Sequence, residues 1–438
     1  MDRRPSRFSR KRHGDRARAR RDDDDDDDDV RIVGAARGRR ALSHVGGAVE
    51  LVGGSDDERR ALEAALSVEP TDEETLPHVH GFHSYPARLH PVTARRLIDA
   101  LSPAGGTVLD PFCGSGTVAV ETRLAGRRAV GVDLSPLAVA LAGLKASAPG
   151  AAWTSDIGQA AERVAEHADD RRRKRAGATQ RYPEEDVELF EPHVLLELDG
   201  LREGIGRIQG AALRRALLLV LSASLTKFSR RGGDTTHLGA PKRIASGYPI
   251  KFFVKKARDL EARLADATAL LPPGDITPRL AVADARKLFR VSDKSVDLVV
   301  TSPPYPGIYD YLEHHRARMR WLGLDARALE YNEIGARRHA RRRSFGYAFG
   351  RFSSEMGSVV AELARVLKPS GSAVIVTADS VLDNRAVRSD ELFAELAHDA
   401  HLVVAAMASQ ERPHFHAPTR AAFRDRPRLE HAIVLRRA

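Results

Sequence analysis

TVLDPFCGSGTVAVETRLAGRRAVGVDLSP, residues 107 to 136, decides how this chain folds. Thr107 to Leu109 read as a short buried strand that Asp110 ends, and Gly114 and Gly116 bring the following turn close to a ligand. From Thr117 a helix offers Val118, Val120, Leu124 and Ala125 for packing, and Ala129 to Val132 form the next strand, finishing on Asp133. Strand, glycine turn, helix and strand make one unit of a parallel sheet. Asp133 lies about 17 positions beyond Gly116, a spacing that suits a nucleoside cofactor whose ribose hydroxyls meet the carboxylate. The turn has neither Gly-x-Gly-x-x-Gly nor Gly-Lys-Ser/Thr, which disfavours a dinucleotide and ATP; standing alone it also reads as a plain structural turn.

A second stretch, VDLVVTSPPYPGIYDY at 296 to 311, adds the chemistry. Val296, Leu298, Val299 and Val300 are a near-continuous apolar run, the pattern of a buried parallel strand. Prolines cannot donate to a sheet ladder, so Pro303 and Pro304 end it. Each also holds its predecessor extended, which leaves Ser302 and Pro303 with carbonyls aimed outward beside the Tyr305 ring. Just past the carboxyl end of a strand is where an open α/β sheet binds its ligands.

At 438 residues the chain is long enough for two or three domains, and its 42% apolar content is ordinary for a globular protein. A net charge of +10 favours an anionic partner such as nucleic acid. Cys113 is the single cysteine, which excludes an intramolecular disulfide and a Cys-based zinc site. With no long apolar run, the expectation is a cytoplasmic protein with no membrane partner and no metal. Residues 1–70 read as a disordered charged tail and linker, with basic residues to position 21 and an acidic block from Asp22 to Asp29. The basic half is either a phosphate-touching arm or only a solvated tail. Order is expected to begin near residue 71.

The pair Asp-Pro-Phe-Cys-Gly-Ser-Gly-Thr (110–117) and Thr-Ser-Pro-Pro-Tyr (301–305) resembles the amino-methyltransferases of DNA that use S-adenosylmethionine. The resemblance implies a Rossmann-like, doubly wound, mostly parallel α/β sheet of about seven strands with helices on both faces and a largely helical insertion. It divides the chain into a cofactor-binding half at 71–150, the insertion at 151–275 and a catalytic half at 276–438. It implies S-adenosyl-L-methionine held by Asp110, Pro111, Phe112, Gly114, Gly116, Thr117, Asp133 and Leu134. Less specific likenesses add Phe82, His83 and Tyr85, from a segment that lies over the cofactor, and Asp284 with Ala285 near the adenine. Asp284 also reads as a turn cap, and the His83 segment as loop packing. Ser302, Pro303, Pro304 and Tyr305 are the implied catalytic loop, residues 362–376 resemble a helix, a turn around Pro369 and the fifth strand, and residues 430–437 resemble the closing strand.

The implied partner is double-stranded DNA, with the protein nucleoid-associated when bound; restriction-modification is the implied setting, and the sequence names no cognate nuclease. The implied reaction transfers a methyl group to the N4 amine of a flipped cytosine, because Ser at the head of such a loop goes mostly with cytosine and Asp mostly with adenine. N6 of adenine, an RNA base amine, and a non-catalytic DNA-binding relative are the alternatives. The insertion, with a basic loop at 227–251, reads either as a target-recognition element or as a helical cover completing the core. Arg337, Arg338, Arg341, Arg342 and Arg343 outnumber the nearby acids and suit a DNA backbone, with a solvated helix end as the alternative.

Overall fold

The computed structural model describes residues 30–31, 47–68, 75–147, 149–231, 238–240, 242–274, 277–414 and 416–438. The expected tail at 1–29 lies outside the described residues, as do Gly232 and Gly233 of the basic loop.

Eight strands form one sheet: β1 Val49–Gly53, β2 Thr107–Asp110, β3 Arg128–Asp133, β4 Arg279–Val282, β5 Val296–Thr301, β6 Leu367–Ala378, β7 Leu402–Glu411 and β8 Leu429–Arg437. Their order across the sheet is β1-β7-β8-β6-β5-β2-β3-β4. The run β6-β5-β2-β3-β4 is parallel throughout, and the three remaining pairings are antiparallel. From β2 the chain winds outward to β3 and β4, then returns to β2's other side for β5 and β6. The winding therefore reverses between β2 and β5, which makes a crevice at their carboxyl ends.

Side-chain alternation sets the layers. Leu298 and Val300 of β5 pack with Leu62 of α1 (Asp56–Leu66) and with Leu97 and Ile98 of α2 (Pro91–Leu101). Val299 points to the other face, against Val360 and Leu363 of the helix Phe345–Val366 and Leu392 and Phe393 of the helix Ser389–Asp399. All four strand residues Val296, Leu298, Val299 and Val300 are fully buried, at about 1.5–3 kcal/mol of transfer free energy each.

Two expectations are corrected. The sheet has eight strands rather than about seven, and order begins by residue 47, not near 71. The extra strand is β1, an edge strand paired antiparallel to β7. It hands the chain to α1, whose start carries a complete capping box: the Ser55 hydroxyl accepts from the Glu58 backbone N–H, and the Glu58 carboxylate accepts from the Ser55 N–H at 2.8 Å. Leu62, Ala65 and Leu66 are buried one turn on, while charged residues on the opposite face hide the pattern in a composition count. The turn expected near Pro369 is absorbed into β6, with a register shift against β5 between Val296 and Leu298.

Between β3 and β4 the chain makes α3 (Pro136–Lys145) and then four long helices, α4 Ala151–Arg173, α5 Pro192–Gly206, α6 Ala211–Phe228 and α7 Tyr248–Ala269. Ile157, Val164, Leu198, Leu217, Leu221, Phe253 and Leu260 form one core with Leu137 and Leu141 of α3 and with Val79 and Phe82. The insertion thereby shares one core with α3 and the segment that carries Phe82. No helix among the described residues is long and apolar enough to cross a membrane.

Candidate active site

Three neighbouring parallel strands end on the same device. Asp110 closes β2, Asp133 closes β3, and Asp284 lies just beyond β4. In each the Oδ1 atom accepts the backbone N–H two residues on, from Phe112 at 3.0 Å, Ser135 at 2.8 Å and Arg286 at 2.9 Å. This side-chain turn stops each strand and fixes the carboxylate at the sheet's carboxyl edge. Similar sequence chemistry then diverges with burial. The Asp110 carboxyl is pushed up to about 7 by burial, against the bonds from Thr301 and Phe112. Asp133 is pushed up to about 6, again by burial, against Ser135 and Gly114. Burial raises Asp284 too, but the Arg286 bonds outweigh it and hold the carboxyl below its ordinary value.

The crevice at the reversal holds a cavity lined by Tyr85, Pro111, Phe112, Gly114, Asp133 and Leu134 on one side and by Asp284, Ala285, Ser302, Pro304, Tyr311 and Glu333 on the other. Gly114 sits at φ +47°, where L residues are strained, and donates its N–H to Asp133 Oδ2 at 2.9 Å. A Cβ there would stand 3.4 Å from the Tyr85 ring. A smaller adjoining cleft is lined by Asp110, Thr117, Cys113 and Arg88. Across the reversal the Thr301 hydroxyl donates to Asp110 Oδ1 at 2.7 Å, tying the two strand ends together.

A larger cavity of about 390 Å³ opens on the far side of the proline loop. Its walls include Tyr305, Tyr309, Arg88, His90, Val376, Ala378, Arg412, Arg428 and Glu430. Ser302, Tyr85 and Ala87 line all three spaces. Ser302 therefore stands at the junction. The Tyr305 hydroxyl is pushed up to about 12 by burial and the Glu430 carboxylate, against Ser302 and Arg428.

The structure places Tyr85, Asp110, Pro111, Phe112, Gly114, Thr117, Asp133, Leu134, Asp284, Ala285, Ser302, Pro304 and Tyr305 around these three adjoining spaces. Pro303 is buried behind the loop and lines none of these spaces. Three other expected residues are placed differently. Phe82 is fully buried against the insertion, with the Lys256 ammonium over its ring at 5.3 Å. His83 is buried as well, with Nε2 at 3.0 Å from the Ser222 hydroxyl of α6 and Nδ1 at 2.8 Å from the Ser84 carbonyl. They anchor the segment that carries Tyr85 and do not line the cavity. Gly116, at φ +91°, lets the helix after it lie against α3, since a Cβ would meet the Ala142 Cα at 2.7 Å. Its lack of a side chain permits that close packing.

Tyr85 is held in a ring stack, 5.0 Å from His315 and 6.1 Å from Tyr311. Glu333 fixes the start of the helix Tyr311–Leu322 by accepting the Tyr311 N–H at 2.7 Å and the Arg338 guanidinium at 2.6 Å. Arg338 also bonds Asp310, so it is spent inside the protein and leaves the expected phosphate-facing group; Arg337, Arg341, Arg342 and Arg343 are exposed. Glu333, Arg412, Arg428 and Glu430 carry no local signal, because nothing near them in sequence marks a site. Two groups of metal-ligand residue types lie elsewhere, His78 with His80 and Glu121, and Asp379 with Asp390 and His431. Lys145 and Arg88 act on the first and Arg388 and Arg426 bond the second, so cationic groups already neighbour both.

Residues 57–143, which include α1, β2 and β3, match the family model described as DNA methylase. A type II methyltransferase of Methanocaldococcus jannaschii is 32% identical over 75 residues, 17% of this chain and 14% of that protein. One of Streptomyces caespitosus is 41% identical over 51 residues, 12% of this chain and 17% of that protein. The chain thus spans less than a fifth of the length of these relatives. Among solved structures, a TehB-like SAM-dependent methyltransferase of Corynebacterium glutamicum aligns over 79% of this chain and 87% of that one, with 11% identity and a TM-score of 0.28.

Proposed function

We propose that this chain is a DNA amino-methyltransferase that uses S-adenosylmethionine and modifies the N4 amine of cytosine. The observation that carries the reading is the position of Ser302 between two cavities, one edged by Asp133 and Gly114 and the other walled by Tyr305. The similarity of residues 57–143 to DNA methylases supports the same substrate class.

The residues of the first cavity fit the cofactor. Asp133 spends one bond on each oxygen, and a carboxylate has about four acceptor sites, so two remain for ribose hydroxyls. Leu134, Ala285, Phe112 and Pro304 supply apolar surface for a purine. The bound cofactor supplies an electrophilic methyl group. The protein's part is to make the base amine nucleophilic. An exocyclic amine delocalises its lone pair into the ring; acceptors on its protons draw it toward tetrahedral geometry and localise that pair. The Ser302 hydroxyl takes this role and the Tyr305 ring stacks on the base, while Pro303, whose carbonyl is the other acceptor that the sequence suggests, lines neither cavity. No strong base is needed, because the amine becomes acidic once methylated and cationic. The target must leave the duplex to reach this loop, so base flipping is part of the reading.

The test is expression in a methylation-free bacterial host followed by mass spectrometry of the digested DNA. N4-methylcytosine is the expected product. Methylated adenine without methylated cytosine would overturn the base assignment, and unmodified DNA from a folded, cofactor-binding protein would overturn the substrate class.

A further inference from the structure

The wall of the 390 Å³ cavity opposite Ser302 is built from groups that the reaction as described leaves unused. Arg412 follows the last residue of β7, Glu430 is the second residue of β8, and Arg428 precedes that strand. β7 and β8 are antiparallel, and Glu430 lies opposite Ala378 near the end of β6. All three residues therefore stand at the sheet edge that carries Ser302. Arg412 is only 6% exposed. Its Nε donates to Glu430 Oε2 at 2.6 Å, and among the described residues this is the single side-chain bond of its guanidinium. Arg428 gives its Nε to the Asp379 carbonyl at 2.9 Å. A buried guanidinium gripped at Nε is oriented, and its two terminal nitrogens present a planar pair of donors. Such a fork, lining a cavity, calls for two adjacent acceptors.

We propose that Arg412, oriented by Glu430, reads the Watson–Crick edge of the flipped base and selects cytosine over adenine; this rests on the methyltransferase reading above. With the amine held at Ser302, cytosine presents N3 and O2 side by side on the next part of its edge, two acceptors for one fork, as guanine's O6 and N7 do in the major groove. Adenine in the same pose presents N1 beside a C–H, and on its other flank N7 beside a C–H. One donor of a desolvated guanidinium then goes unmatched, and an unpaired buried donor is what makes such sites discriminate. Arg428 and the Glu430 carboxylate, both acting on the Tyr305 hydroxyl, tie this wall to the stacking ring.

The experiment compares the full-length parent with Arg412→Met, which keeps the length and loses the donors, and Arg412→Lys, which keeps the charge and loses the fork. Genomic DNA from a methylation-free host is the substrate, methylcytosine and methyladenine are counted by mass spectrometry, and S-adenosylmethionine affinity is measured by calorimetry. In both variants cytosine methylation should fall by about 10- to 100-fold, the methylcytosine-to-methyladenine ratio should fall with it, and cofactor affinity should stay within about twofold, a split that a merely structural loss would not give. A parent that methylates cytosine together with variants of parental rate and ratio overturns the role of Arg412 and leaves the proposed function standing. Full rescue by lysine overturns the fork. A parent that methylates only adenine overturns the base assignment itself.

Discussion

The two cavities that meet at Ser302 are built in opposite ways. The first draws its floor from one continuous stretch, residues 110 to 135, in which each strand-ending aspartate bonds a neighbour two residues away and Gly114 bonds Asp133. The second is assembled from residues 65 to 68, 75 to 91, 302 to 309, 376 to 378 and 412 to 430, the last two of which meet through the pairing of β6, β7 and β8. The difference teaches that the floor of the proposed cofactor cavity is a local device, whereas its far wall and the whole of the proposed base cavity depend on the order of strands. Substitutions on the first side should weaken or abolish cofactor binding, and those at the junction and beyond should act on turnover and selectivity.

The sharpest way to break this contrast is Gly114→Val. An L side chain at φ +47° costs roughly 1–2 kcal/mol, and its Cβ would stand 3.4 Å from the Tyr85 ring on the cavity floor. Calorimetry should find no measurable S-adenosylmethionine binding in a folded variant; near-parental affinity would place the cofactor elsewhere. Ser302→Ala tests the junction. Turnover should fall by about 10² to 10³, the loss typical of one transition-state hydrogen bond, while cofactor affinity holds. A matching loss of affinity would move Ser302 to the cofactor side.

Asp110 offers a pH test. Its carboxyl titrates near 7 in the folded chain and near about 3.9 in the unfolded chain. Its folded value is raised, so the stability linked to it is fully present below about 4 and is lost as pH rises through 7. Asp110→Asn retains an amide oxygen for the Thr301 and Phe112 bonds and does not titrate. It should gain on the parent between pH 5 and 8 by on the order of a few kcal/mol. Thermal unfolding at both values checks this, and a pH-independent difference would remove the burial cost from the account.

Asp133→Ala should weaken cofactor binding by about 1–3 kcal/mol, the range for a buried polar group left unpaired, as calorimetry would reveal; unchanged affinity would take the ribose off this carboxylate. The smallest effect belongs far from both cavities. Ser55→Ala removes the hydroxyl half of the α1 cap and should cost about 1 kcal/mol of stability with no change in product, measured by denaturant unfolding. A change in the methylated base would tie the β1 edge to the site.

Much of this was legible in residue order because the relevant physics is local. Prolines at 303 and 304 must end a strand, aspartates at 110, 133 and 284 close their own turns, and the apolar run at 296 to 300 must be buried. The α1 capping box was legible too, in Ser55-Asp56-Asp57-Glu58, although charge count alone assigns that region to a linker. Tertiary structure decided the rest. It turned Phe82 and His83 inward against the insertion, gave Gly116 to helix packing, and spent Arg338 on Asp310 and Glu333. It also set Arg412 and Glu430 across a cavity from Ser302, more than a hundred positions away in the chain. Turn chemistry and side-chain period act over a few residues, but which polar groups share a cavity follows from strand order, and that is set by long-range pairing and by which faces must be covered.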